Sequence, residues 1–334
     1  MSMLRDRLEH HQVLIYFAAV VLGAALAWAV PGTQALEAAI NPALALMLFV
    51  TFLQVPLAEL GRALQQSSQW RFVGALLLAN FVLLPLLAAL LLQGLPGDTL
   101  LRLGVLLVLL APCIDYVVTF SHLGKADAHL LLAATPVLLL AQMLLLPLYL
   151  NLLLGDAVGT LIASGASRQA FVQAFTHAFV WLMALPLLLA ALVQQWAKRS
   201  PAGERSAATL GLLPVPATAL VLLLVVAAVL PQLGAAGDAA LRVLPVYIAF
   251  AVVAPLLGWL AARLLCLPAA AGRAVAFSAG TRNSLVVLPL ALAVPGAMPV
   301  LPAIIVTQTL VELVAELFYI RLLPRLGQGE FQKP

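Results

Sequence analysis

Charge is the scarcest property of this chain. Asp, Glu, Lys and Arg together make up 9% of its 334 residues, where a water-soluble domain carries roughly 25%. That is too little polar surface to cover a soluble fold. Cysteine is nearly absent as well. Cys113 and Cys266 are the only two, both in or beside apolar stretches, which argues against a disulfide framework. The five histidines, His10, His11, His122, His129 and His177, show no metal-ligand spacing such as H-E-x-x-H, and neither a Walker loop nor a G-x-S-x-G elbow occurs. The pattern points away from an enzyme or an ATP-driven pump, and no metal or cofactor is expected. A pI near 9.4 would suggest nucleic acid in a soluble protein, but here the cations sit in short loops, so nucleic acid is not an expected partner.

Hydrophobic residues fill 64% of the positions, and the mean hydropathy is +1.11. About 20 apolar residues cross a bilayer as one helix, and a continuous helix satisfies its own backbone in lipid. The expected fold class is therefore an all-α polytopic membrane protein with the lipid bilayer as its solvent. Apolar runs bounded by Pro, Gly or charge predict ten transmembrane helices, near 13–30, 36–53, 72–92, 100–123, 130–154, 171–196, 210–230, 244–265, 274–294 and 303–323. The first run is long enough to span and is followed by no small-residue cleavage site, so it reads as a retained helix.

Basic residues set the orientation. With a cytoplasmic N-terminus, one side collects thirteen: Arg5, Arg7, Arg62, Arg71, Lys125, Lys198, Arg199, Arg205, Arg263, Arg273, Arg321, Arg325 and Lys333. The opposite side holds Arg102, Arg168 and Arg242. This positive-inside bias predicts a plasma (inner) membrane protein with both termini cytoplasmic, and Trp70 and Trp196 read as interfacial anchors. Ten spans divide into halves 1–160 and 161–334 of five each. An odd number per half inverts one half against the other, the arithmetic of an inverted repeat. A weak echo supports it, Asp115-Tyr116-Val117-Val118 in span four against Asn283-Ser284-Leu285-Val286-Val287 in span nine.

The few charges inside the spans are costly there and normally face a partner or a watery cavity. Asp115 follows Pro112, which removes a backbone donor and crowds the preceding turn. Arg282 lies in the polar run Ser278-Ala279-Gly280-Thr281-Arg282-Asn283-Ser284. Both stretches read as helix breaks, and paired breaks in corresponding spans point to a transporter's solute site. Candidate solute-binding residues are Cys113, Asp115, Arg282, Asn283 and Ser284, with Ser278 and Thr281 in support. Asp115 and Arg282 have two readings, a buried ion pair locking the halves together or groups that handle solute or proton.

Gln308, Glu312 and Glu316 recur at i, i+4 and i+8, one polar stripe that must look inward. Together with Asp115, Glu312 and Glu316 are the candidates for proton or ion coupling. Glu316 lies nearest the cytoplasmic end, where partial solvation is expected. Thr135, Thr307 and Gln142 add neutral polar groups that serve either the site or helix packing. Cys266 reads as structural, whereas Cys113 stands beside a break and an aspartate.

Pro112-Cys113, Ser121, Leu123, Lys125 and Asp127 match without gaps the fourth-helix signature of Acr3-type arsenite efflux proteins. Gly280, Asn283 and Ser284 resemble the ninth-helix Gly-x-Gln-Asn-Ser of the related bile acid:sodium symporters. The resemblance covers essentially the whole chain. It implies spans four and nine crossing as broken helices in a core of spans three to five and eight to ten, moving against a panel of spans one, two, six and seven. It also implies that Cys113 handles a metalloid, in keeping with the softness of a thiol toward As(III). Two departures stand out. Ser278 and Arg282 occupy the places of the sodium branch's acidic residue and glutamine, and Leu285 lies near the arsenite branch's glutamate. The expected function is proton-linked or potential-driven efflux of arsenite or a similar small metalloid species. The alternative is a carrier of a small organic anion paired with Arg282. Oligomeric state leaves no signal in the sequence.

Overall fold

A computed structural model describes residues 7–8, 10–54, 67–113, 116–154, 181, 184–292, 294 and 300–327. Its regular elements are helical: α1 (Gln12–Ala29), α2 (Glu37–Gln54), α3 (Ser67–Leu78), α4 (Leu84–Leu91), α5 (Thr99–Leu109), α6 (Val117–Leu123), α7 (Ala128–Leu154), α8 (Leu185–Arg199), α9 (Pro201–Leu210), α10 (Pro214–Val229), α11 (Leu233–Leu264), α12 (Ala269–Gly280), α13 (Ser284–Leu292) and α14 (Val300–Leu322).

Among the described residues, seven stretches are long and apolar enough to cross a membrane: Gln12–Ala29, Thr33–Gln54, Trp70–Gly94, Val137–Leu154, Pro201–Val229, Gly237–Leu264 and Val300–Arg325. The chain is an integral, multi-pass membrane protein. These seven fall on expected spans one, two, three, five, seven, eight and ten. Spans four and nine are each divided into two shorter helices, α5 with α6 and α12 with α13, so neither half reaches spanning length alone. Much of span six lies outside the described residues, and α8 is its described part.

The helices gather into two compact units. In one, α10 packs on α1 and α2, and α2 also packs on α8. Gly23 permits the close approach, because a Cβ there would stand 2.7 Å from the Leu223 carbonyl oxygen. In the other unit, α12 packs against α3, α6 and α7. This second unit also takes α5, the part of α11 from Leu241 onward and the part of α14 from Thr307 onward.

Two prolines in the second unit are handled by the same device. Proline has no N–H to offer the carbonyl four residues earlier. For Pro85 that carbonyl belongs to Phe81, for Pro255 to Ala251, and a tyrosine hydroxyl donates to each, Tyr149 to Phe81 and Tyr319 to Ala251. Each tyrosine lies 68 residues beyond its acceptor. Adding 170 to the first set of numbers gives the second. The starts of α5 at Thr99 and α12 at Ala269 obey the same shift. Just before Pro85 the helix widens into a π-helical turn, Ala79–Leu83, a local distortion often found at functional sites.

Candidate functional site

The two breaks bond directly to each other. Pro112 and Arg282 form an isolated antiparallel bridge. The Cys113 N–H donates to the Thr281 carbonyl at 3.2 Å, and the Asn283 N–H donates to the Ala111 carbonyl at 2.8 Å. A shift of 170 exchanges these two bonds: Ala111 becomes Thr281, Pro112 becomes Arg282, and Cys113 becomes Asn283. This register is one residue away from the echo that laid Val117-Val118 on Val286-Val287. Cys113 is fully buried and Cys266 is exposed. Asp115 lies outside the described residues, and with it the Asp115–Arg282 pair.

Arg282 is completely buried, and its guanidinium rests on uncharged oxygens. Nη2 donates to Asn80 Oδ1 at 2.7 Å, to the Ser278 carbonyl at 2.5 Å and to the Ala279 carbonyl at 3.0 Å, while Nη1 donates to the Leu109 carbonyl at 3.3 Å. Leu109 ends α5, and Ser278 and Ala279 lie in the last turn of α12. Carbonyls at a helix C-terminus carry partial negative charge, so one cation caps two half-helices at once. Asn80 is itself oriented, its Nδ2 donating to the Leu76 carbonyl at 3.0 Å and to Ser278 Oγ at 3.1 Å. Phe250 places its ring 5.6 Å from the guanidinium carbon. Asn80 and Phe250 each stand five residues before one of the two prolines, so corresponding positions of spans three and eight both meet the same cation.

The polar stripe of α14 is buried, as its spacing requires. Gln308, Glu312 and Glu316 are 4%, 2% and 0% exposed. Glu312 receives three donors: the Tyr116 hydroxyl, the Arg282 N–H at 2.7 Å and Gln308 Nε2 at 2.5 Å. Glu316 Oε1 meets the Thr281 hydroxyl, whose single proton is shared between that carboxyl oxygen and the Phe277 carbonyl at 2.8 Å. The expected solvation of Glu316 is therefore corrected: it sits inside the protein. The next turn explains this, since Tyr319 packs edge-on against Phe277 and lies close to Gly280, where an added Cβ would come within 2.7 Å of its ring.

Ser284 Oγ and Thr309 Oγ1 are 2.8 Å apart. Thr135 donates to the Leu132 carbonyl at 2.7 Å, the local role common for a membrane threonine. Gln142 is 1% exposed, and among the described residues neither atom of its amide has a hydrogen-bond partner. Asn80, Tyr116, Phe250, Thr309 and Tyr319 belong to the site without having been singled out by the sequence. For Asn80, an amide in the middle of an apolar run was the one available signal.

The model of the Sodium Bile acid symporter family matches residues 41–237, more than half of the chain. No match is found among the curated proteins. The matched stretch includes the first break, with Pro112 and Cys113, and ends before Arg282 and α14. Apolar helices, a broken span four and this match agree: the chain belongs to the sodium bile acid symporter family, whose members are membrane transporters.

Proposed function

We propose that this chain is a secondary transporter that exports arsenite or a related small, uncharged metalloid species, driven by protons or membrane potential. The observation that carries this reading is the crossing itself, where Cys113 is bonded to Thr281 at the opened ends of two half-helices. Such ends are where transporters of broken-helix design bind solute and coupling ion. A thiol there is a soft ligand for As(III).

Arg282 supports independence from sodium. Half-helix C-termini and unwound carbonyls are the places a coupling cation occupies in such transporters. Here a tethered guanidinium fills them and would repel a second cation. Both Nη groups donate to protein oxygens and Nε alone has no partner among the described residues, so the two-pronged fork that a carboxylate would pair with is already partly used. Glu312 and Glu316, with Asp115, are the groups proposed to carry the proton. The separate packing of α1, α2, α8 and α10 supports a panel, and the unit that holds α5, α6 and α12 supports a moving core, with α13 from Leu285 and α14 up to Val306 grouped with the panel helices. The 170-residue correspondence supports related five-plus-five halves, and the bias of basic residues supports cytoplasmic termini in the inner membrane.

The test is flux in proteoliposomes with arsenite and a panel of carboxylates, under separate sodium and proton gradients, for wild type and Cys113→Ser. The expected outcome is arsenite flux without sodium, lost in Cys113→Ser. Sodium-dependent uptake with Arg282 intact, or carboxylate flux unaffected by Cys113→Ser, would refute it.

A further inference from the structure

The 170-residue register sets Gln142 in α7 opposite Glu312 in α14. Glu312 accepts from three donors, the Arg282 N–H, the Tyr116 hydroxyl and the Gln308 amide. The residues that correspond to those three are Pro112, Val286 and Leu138. None of their groups at these places can donate: proline lacks the N–H, and the two side chains are hydrocarbon. The first half thus keeps a polar residue at the position of Glu312 and lacks each of the three donors that Glu312 has. The outcome is visible in Gln142, which is 1% exposed with both Oε1 and Nε2 unpartnered among the described residues. A buried amide is expensive to leave unpaired, and an orphan of this kind requires an explanation.

We infer that Gln142 is a solute-recognition residue, whose amide is completed by an uncharged, hydroxyl-bearing solute bound on the side of the first break. An amide presents one acceptor and two donors, so it complements a group that also donates and accepts. A hydroxyl meets that requirement. A carboxylate accepts only, and would leave Oε1 unpaired. The solute class is therefore an undissociated hydroxylated species, and the register places its recognition in the half that carries Cys113. This inference rests on the transport reading above and adds the residue that reads the solute's oxygens, where Cys113 meets its central atom.

The experiment uses the full-length protein in lipid nanodiscs, as wild type and as Gln142→Leu, with arsenite and boric acid as uncharged hydroxylated probes. Gln142→Met, closer in shape, repeats each measurement in case leucine packs poorly. Two quantities are read: the unfolding midpoint of the empty protein, and the probe concentration that raises it by a fixed amount. An apolar variant is expected to be at least as stable as wild type when empty, because the orphan amide is gone. It should then need about tenfold more probe. A loss of empty-state stability in both variants would overturn the inference, since the amide would then be structural. So would an unchanged probe requirement, or a wild type that responds to neither probe, whatever its flux of carboxylates. A wild type that responds to boric acid and not to arsenite, with the tenfold loss in the variants, would sustain Gln142 and remove arsenite as the solute.

Discussion

Replacing Arg282 by alanine removes a cation that no other described side chain can supply. The change strands Asn80 Oδ1 and the carbonyls of Leu109, Ser278 and Ala279, all in a region closed to solvent. A hydrogen bond from a charged donor contributes about 1.5–3 kcal/mol, but adding four such values would overshoot, because water enters the space left behind. Truncating one member of a buried ionic arrangement typically costs about 3–5 kcal/mol, and Glu312 would also lose an attractive charge. The expected loss corresponds to roughly two to three and a half orders of magnitude in the folded-to-unfolded ratio, at about 1.4 kcal/mol per tenfold. Equilibrium unfolding in mixed micelles, followed by tryptophan fluorescence, measures it. Arg282→Lys should recover part of the loss, because one ammonium restores the charge but cannot reach the carbonyls of both half-helices in a planar fork. An alanine variant within about 1 kcal/mol of wild type would refute the view that this guanidinium caps both breaks.

Gly258→Ala should cost about 1–3 kcal/mol and slow flux, since its Cβ would lie 2.8 Å from the Val275 carbonyl oxygen and 2.9 Å from Ala276 Cα, backbone that has no room to yield. Gly97→Ala, with nothing within 4 Å, is the control and should change stability by less than about 0.5 kcal/mol; equal effects at the two sites would contradict the close packing of α11 on α12. Cys266 is exposed and Cys113 buried, and Arg263 and Arg273 flank Cys266 on the side expected to be cytoplasmic. A membrane-impermeant maleimide should therefore label Cys266 in inside-out vesicles and not in right-side-out ones, and the reverse pattern would invert the topology.

The apolar runs and the buried stripe of α14 were legible in sequence because both are local and periodic. The breaks were legible too, through Pro112 in one span and the polar run after Gly280 in the other. What sequence could not supply was the pairing of distant positions. Asn80 is a lone amide among leucines, and nothing in its neighbourhood signals an arginine some 200 residues later. Glu316 looked half-solvated because distance along a helix was the only guide to depth, whereas Thr281, Phe277 and Tyr319 decide its surroundings. The internal register differs by one residue from the sequence echo for a related reason. It is written in backbone bonds between the breaks and in two proline-to-tyrosine contacts, whose four side chains are too few and too far apart to stand out in a sequence of apolar runs.

Pro112 and Arg282 are bonded to each other and are also each other's counterparts. A residue so placed always faces its own twin. Two copies of the first half alone would set proline against proline and leave the half-helix ends without a cation. Two copies of the second would press guanidinium against guanidinium in a space that holds one. Neither break can therefore rebuild this centre with a second copy of itself, and any split version of the protein must bring one of each together.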